Sequence, residues 1–382
     1  MPDLPRPDVP HADLSVLDTL RRYPDLEAPN LFAVDASDRL ILDEAAADVA
    51  GAGPGTVVIL GDHYGALTLG ALALGATAVR SYQDSLIGER ALANNAPDGD
   101  YRRLPLGEEL LGGARVVLLQ LPKSLAELDE LAGAIARFAS PDVVVVAGGR
   151  LKHMTIEMNT VLGRHFGEVS ASLARQKSRV LVARHPLSAP NEFPQRAFVE
   201  ELGLWVCSHG GAFSGTKLDI GTRFLLSVVD QAMPDARLAI DLGCGTGILA
   251  AAVARSRPQV RVIATDQSRI AVASAEATMA ANGLDAVTVV RDLGLESQPD
   301  ASADLILLNP PFHTGAAVTT GLAEKLFRDA ARVLRPGGEL WTVFNSSLGY
   351  RSALQQVVGP TREVARNAKF TVSASSRPAT NL

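Results

Sequence analysis

The sequence predicts an α/β protein of two tandem domains, each a largely parallel sheet with helices on both faces. Three observations point there. The chain has 382 residues, 47% of them hydrophobic and 20% charged, which is enough for two cores and long for one. From residue 236 onward, short β-rich runs alternate with helical patterns, as βαβ units do. The first half of the chain then repeats the plan of the second.

In the second half, "RLAID" (237–241) leads through a Gly-rich turn into "ILAAAVARS" (248–256). "VRVIATD" (260–266) leads into "AVASAEATMAANG" (271–283). Then come "AVTVVRD" (286–292), "ADLILLN" (303–309), the helix candidate "GLAEKLFRDAARVL" (321–334), a "RPGG" turn and the strand "ELWTVF" (339–344). In sheets of this kind, ligands bind at the carboxyl ends of the strands.

The first half matches when Gly65 of "VVILGDHYGALTLGALALG" is set against Gly247 of "LAIDLGCGTGILAAAVA". The following strands then end at Asp84 and Asp266, each nineteen residues beyond its glycine. "VVLLQLPK" (116–123) aligns with "LILLNPPF" (305–312), so Gln120 stands opposite Asn309, and "ARQKSRVLVA" (174–183) parallels "ARNAKFTVSA" (365–374). The copies differ where chemistry would sit. Asp241 is replaced by Ile59, Gly245 by His63, and Asn-Pro-Pro-Phe by Gln-Leu-Pro-Lys. The first copy keeps its scaffold and loses its site. The linker candidate is "HPLSAPNEFPQ" (185–195), with three prolines. The expected domains are therefore 1–190 and 191–382, with residues 1–12 a flexible tail.

A net charge of −6 and a pI near 5.7 argue against non-specific coating of nucleic acid. Local patches are a separate matter. Residues 164–185 carry five Lys/Arg against one Glu, and 351–369 are also basic, which is compatible with solvated faces or with RNA contact. Cys207 and Cys244 belong to no metal-type cluster, so both read as reduced and structural, with no metal expected. No apolar run suffices to span a bilayer and the N-terminus lacks a leader pattern, so a cytoplasmic protein with no membrane association is expected.

Two segments carry chemistry. "DLGCGTG" (241–247) sets an acid at a strand end and three glycines, Gly243, Gly245 and Gly247, in the turn that opens a helix. Glycines there allow close approach of a ligand, and the free N–H groups of the helix start suit an anion. Asp266, twenty-five residues after Asp241, can accept the hydroxyls of a ribose, or cap the helix that follows. Nicotinamide and flavin enzymes share these features.

The second segment is "NPPFHTG" (309–315), a rigid shelf directly after a buried strand. It resembles the shelf of class I methyltransferases acting on planar nitrogens. The Asn309 side-chain oxygen and the Pro310 carbonyl would accept from a target amino group and localise its lone pair. Phe312, with Pro311, would stack on the base. Taken alone, Phe312 could be a core aromatic. Asp292 lies where related enzymes place a polar side chain against the adenine, or is a surface turn acid.

"FSGTKLDIGTRFLL" (213–226), the shelf, the tail "NAKFTV" and the degenerate duplicate together resemble the bacterial ribosomal RNA guanine-N2 methyltransferases of RlmG and RsmC type, across nearly the whole chain. "LPKSLAEL" and "VVAGGRLKHMT" look closer to the large-subunit RlmG type. The resemblance implies two tandem class I methyltransferase-like (Rossmann-type) domains, the N-terminal one degenerate. It also implies S-adenosyl-L-methionine as donor, held by Asp241, the three glycines, Asp266, Asp292 and Asn309. The acceptor it implies is N2 of one guanosine in ribosomal RNA or a ribosomal subunit, most closely 23S. Asp219 and Gly221 would lie beside donor and base, although Asp219 could equally cap a helix over "GTRFLLSVV". Arg175, Lys177 and Arg179 would orient the RNA, and a monomer is expected. The alternatives are the same chemistry on 16S guanine, on a protein glutamine amide or on adenine N6, and a non-catalytic RNA-binding assembly module.

Overall fold

A computed structural model describes residues 13–188, 190, 192–310 and 316–379. The tail at 1–12 and the shelf residues Pro311 and Phe312 lie outside the described residues. The chain forms two compact units, Met1–Glu192 and Phe193–Leu382.

The first unit opens with a 3-10 turn (Ser15–Thr19), followed by α1 (Ala36–Ala50). Asp35 caps it by accepting from the Ser37 and Asp38 N–H groups, while Asp38 reaches back to the Asp35 N–H in a capping box. Then follow β1 (Val57–Leu60), α2 (Ala66–Ala73), β2 (Val79–Tyr82), α3 (Leu86–Asn95), β3 (Tyr101–Arg103), α4 (Glu108–Leu111) and β4 (Val116–Gln120). α5 (Leu125–Phe138), β5 (Val144–Arg150), α6 (Glu157–His165), β6 (Phe166–Ala171) and β7 (Ser178–Pro186) complete it. Among the described residues the sheet order is β3-β2-β1-β4-β5-β7-β6, parallel through β5, with β7 antiparallel to both neighbours. All four residues of β1 are buried, because helices cover both faces.

The second unit begins with the hairpin β8 (Gln195–Val199) and β9 (Leu204–Ser208), then α7 (Ile220–Leu226), β10 (Leu238–Leu242), α8 (Ile248–Ser256), β11 (Arg261–Asp266) and α9 (Arg269–Asn282). It continues through β12 (Thr288–Arg291), β13 (Ala303–Leu308), α10 (Ala316–Val333), β14 (Leu334–Asn345), α11 (Tyr350–Val357), β15 (Thr361–Arg366) and β16 (Phe370–Ser376). Its sheet runs β12-β11-β10-β13-β14-β16-β15, the same order strand for strand as the first unit. β7 and β16 occupy the same place, as the sequence parallel between them requires.

Successive residues of β13 serve opposite faces of the sheet. Leu305 and Leu307 join a cluster containing Trp341, whereas Ile306 and Leu308 join one containing Phe327. The chain goes from β10 outward to β11 and β12 and then crosses back to β13 on the other side of β10. The gap between β10 and β13 is therefore the topological switch point, where a ligand crevice opens.

Three local expectations need correction. "RPGG" is not a turn but part of β14, absorbed as a bulge between the pairs Ala303↔Leu334 and Leu305↔Glu339, with Gly337 at φ +80°. β2 ends at Tyr82, two residues short of Asp84, whereas Asp266 is the last residue of β11. The helix over "GTRFLLSVV" stops at Leu226, and a separate 3-10 turn spans Val229–Gln231.

Candidate functional site

The site forms at the carboxyl ends of β10 and β13. Gly243, Gly245 and Gly247 all take positive φ, at +74°, +54° and +76°, a region closed to most side chains. The Thr265 carbonyl accepts from the Gly243 N–H (2.8 Å) and the Cys244 N–H (2.9 Å), folding the turn over the end of β11. Gly247 is the N-cap of α8 and has no side chain to cap with. Asp241 supplies the missing cap from the preceding strand, its Oδ2 accepting from the Ala250 N–H at 2.9 Å. Asp241 is only 3% exposed. Burial pushes its carboxyl up to about 7, Asp266 adds to the shift, and the Ala250 N–H works against it.

Asp266 accepts from the Gly245 N–H (3.1 Å) through Oδ2 and from the Ser268 N–H (2.9 Å) through Oδ1. It is not the helix cap. That role falls to Ser268, whose side chain accepts from the Ala271 N–H. Asp292 is not a surface acid: it is 4% exposed, and its Oδ2 accepts from both the N–H (2.9 Å) and the hydroxyl (2.7 Å) of Ser297. Cys244 and Cys207 are free and buried, and burial pushes both thiols up.

Asn309 follows β13 directly, and Pro310 is buried behind it. The Asn309 Nδ2 donates to Asp219 Oδ2 and to Thr222 Oγ1, both at 3.0 Å. Its Oδ1 is buried and has no hydrogen-bond partner among the described residues. Asp219 also caps α7, accepting from the Thr222 N–H at 3.0 Å. The cap and the contact to Asn309 are thus one device. A cleft open to solvent brings together Asp219, Asp241, Gly243, Gly245 and Asn309 of the residues that the sequence marks. Gly221, Gly247, Asp266 and Asp292 are not on its wall. Phe213, Lys217 and Thr222 are, and sequence reasoning did not single them out. A signal existed for Thr222, which lies three residues after a capping Asp in "LDIGT" and so faces back over the helix start.

In the first unit, Ile59, fully buried, stands where Asp241 stands in the second. The capping carboxylate comes instead from Asp62, which accepts from Gly65 (3.1 Å), Leu67 (3.1 Å) and Thr68 (2.8 Å) N–H groups. Gln120 Nε2 donates to Ser37 Oγ and Asp38 Oδ1, both at 3.0 Å, and the Ser37 hydroxyl donates to Asp35 Oδ1 at 2.5 Å. Of the expected RNA-orienting cations, Arg175 is paired with Asp43 (3.3 Å) and Glu44 (2.9 Å). Lys177 sits exposed on the adjacent turn at φ +59°, and Arg179 lies half-buried on β7.

Among the described residues, no helix is long and apolar enough to cross a membrane, and no three His, Cys, Asp or Glu gather as a metal site.

The family model described as the methyltransferase small domain matches residues 203–374, and the RLMG N-terminal domain matches 11–187. The ribosomal RNA large subunit methyltransferase G of Streptomyces avermitilis is 36% identical over 366 residues, covering 92% of this chain and 95% of that protein. Its namesake from Ectopseudomonas mendocina is 36% identical over 376 residues, covering 96% and 98%. Among solved structures, the T. thermophilus 16S rRNA N2 methyltransferase RsmC, in complex with AdoMet and guanosine, aligns with TM-score 0.74 at 22% identity, covering 92% of this chain and 97% of its own. Fold and matched domains define the class: a Rossmann-type methyltransferase. Within that class, the chain belongs to the family of the ribosomal RNA large subunit methyltransferase G.

Proposed function

We propose that this protein transfers a methyl group from S-adenosylmethionine to the exocyclic N2 of one guanosine in 23S ribosomal RNA. The observation that carries this reading is the buried Asn309 Oδ1, an acceptor left without a partner in a cleft that also holds Asp241 and the glycine turn. A buried acceptor without a donor costs about 1–3 kcal/mol, so an amino group arriving there is favoured. The names of the relatives, at 36% identity over almost the full chain, favour ribosomal RNA of the large subunit as the substrate.

The residues fit the donor. Asp241 and the turn of Gly243, Gly245 and Gly247 would hold its amino-acid end, Asp266 its ribose hydroxyls, and Asp292 its adenine. When bound, the donor supplies an electrophilic sulfonium methyl. The chain's own part is to orient and polarise the acceptor. Asn309 Oδ1 and the Pro310 carbonyl accept the two hydrogens of the base amino group, which returns its lone pair from the ring and stabilises the charge that develops on nitrogen. Phe312 and Pro311 would flank the base, drawn from a loop or flipped from a helix. The domain from 191 to 382 is the catalytic one. The domain from 1 to 190 binds RNA or supports the fold, with Lys177 and Arg179 better placed for phosphate than the ion-paired Arg175.

Donor binding and tritiated-methyl transfer, measured on two variants, test the assignment. Asp241→Ala is expected to lose both. Asn309→Ala should keep donor binding and lose transfer by about a hundredfold or more, as for removal of a single preorganised polar group. An Asn309→Ala enzyme with the parent rate would sink it.

A further inference from the structure

We infer that Thr222 is a positioning residue, which together with Asp219 locks the Asn309 carboxamide so that the site presents an acceptor and selects an amino group. This inference rests on the functional reading above and deepens it. The argument begins with hydrogen-bond chemistry. An ionised carboxylate can only accept, so Asp219 Oδ2, 3.0 Å from the carboxamide, requires the Nδ2 side of Asn309 to face it. Turning the amide over would set two acceptors against each other. Thr222 Oγ1 takes the second Nδ2 hydrogen, also at 3.0 Å. With both hydrogens held, Oδ1 stays on the opposite side, buried and unpartnered.

The neighbour between the two clamping residues completes the arrangement. A Cβ on Gly221 would stand 3.3 Å from Asn309 Oδ1 and 3.0 Å from Asp219 Oδ2. The absence of a side chain there leaves the carboxamide its room.

The first unit holds its own carboxamide from the corresponding helix cap. Asp35 is the N-cap of α1 as Asp219 is of α7, and Asp38, three residues on, holds Gln120 as Thr222 holds Asn309. At the intervening position the first unit has Ser37, whose oxygen accepts one Gln120 Nε2 hydrogen and whose hydroxyl donates to Asp35 Oδ1. The second unit has Gly221 there, and the second nitrogen hydrogen goes to Thr222 Oγ1 instead. In both units the carboxamide nitrogen is thus held from the capped helix start, by Asp38 and Ser37 in the first and by Asp219 and Thr222 in the second.

Two readouts test this. In nitrogen-15-labelled protein without substrate, the Asn309 side-chain amide hydrogens, identified by their loss in Asn309→Ala, are expected to exchange about fivefold faster in Thr222→Val, as for removal of one hydrogen bond near 1 kcal/mol. Thr222→Ser should restore slow exchange. In single-turnover transfer, Thr222→Val is expected to slow the methyl step about tenfold with donor affinity held within about twofold, and Thr222→Ser to recover most of the rate. A second pair of variants avoids any fault specific to α7 packing. Asn309→Asp sets two carboxylates against each other and should be slow near neutral pH, and adding Asp219→Asn, which still caps α7, should raise its rate. Unchanged exchange in Thr222→Val, faster exchange with an unchanged methyl step, or no gain in the double variant would each overturn the proposal. A parent enzyme that methylates no guanine would instead refute the functional reading, and the exchange measurement would still decide whether the clamp exists.

Discussion

Asp241→Asn should make the donor-free second unit more stable, and by an amount that depends on pH. The buried carboxyl is pushed from an ordinary 3.8 to about 7. The folded state therefore keeps a proton that the unfolded chain has already released. The stability this provides is complete below about pH 4, is withdrawn as pH rises, and is gone above about pH 7. Roughly three pKa units at about 1.4 kcal/mol each give about 4 kcal/mol across that window. Asparagine has no proton to lose and can still accept from the Ala250 N–H. The advantage of the variant over the parent should thus grow by up to about 4 kcal/mol between about pH 4 and about pH 8. Both tryptophans, Trp205 and Trp341, lie in the second unit. Urea unfolding followed by their fluorescence consequently reads this unit separately from the first. A difference between parent and variant that stays constant with pH would refute the reasoning, since it would mean that Asp241 is ionised at no unusual cost.

Other consequences follow from the same contacts. If the ionised form of Asp241 is the one that binds donor, affinity should fall about tenfold from its plateau at about one pH unit below its carboxyl value, as titration calorimetry across pH would show. Gly247→Ala would place a Cβ 2.8 Å from Met279 Cε and 3.0 Å from Ala275 Cβ at a φ of +76°, and should cost the second unit about 2–3 kcal/mol in chemical unfolding. Asp62→Ala would strand three N–H groups at the start of α2, so amide exchange there should speed up sharply while the tryptophan-detected transition stays in place. Phe327→Ala would empty a fully buried site where the ring meets Tyr350 edge-on at 5.6 Å, and should destabilise the second unit by about 3–5 kcal/mol.

The parts of the fold that were legible in the sequence are those that depend on local pattern. The βα alternation after residue 236 gave β10 to β13 and the helices between them, because buried parallel strands and amphipathic helices each leave their own periodicity. The duplication was legible for a related reason. Gly65 and Gly247 sit at matching left-handed helix starts, and that backbone requirement leaves a glycine whichever residues surround it. "RPGG" was misread because turn chemistry and bulge chemistry use the same residues, and only pairing with β13 distinguishes them. Asp241, Gly243, Gly245 and Asn309, which line one cleft, stood out in the sequence because a Gly-rich turn after a strand and an Asn-Pro-Pro run after another are local patterns. The clamp of Asp219 and Thr222 on Asn309 spans 90 and 87 residues of chain, and no local pattern records such a contact. Asp292 illustrates the same limit: its burial against Ser297 follows from the loop beyond β12, which the strand pattern does not specify.

The most direct test of the central claim is to incubate the protein with tritiated S-adenosylmethionine and, separately, 16S rRNA, 23S rRNA, and 30S and 50S particles from cells lacking it, then digest each RNA to nucleosides. The account predicts label in N2-methylguanosine from the 23S or 50S samples, absent with Asn309→Ala. Label in another nucleoside, in the 16S or 30S samples only, or in no RNA despite measurable donor binding, would contradict it.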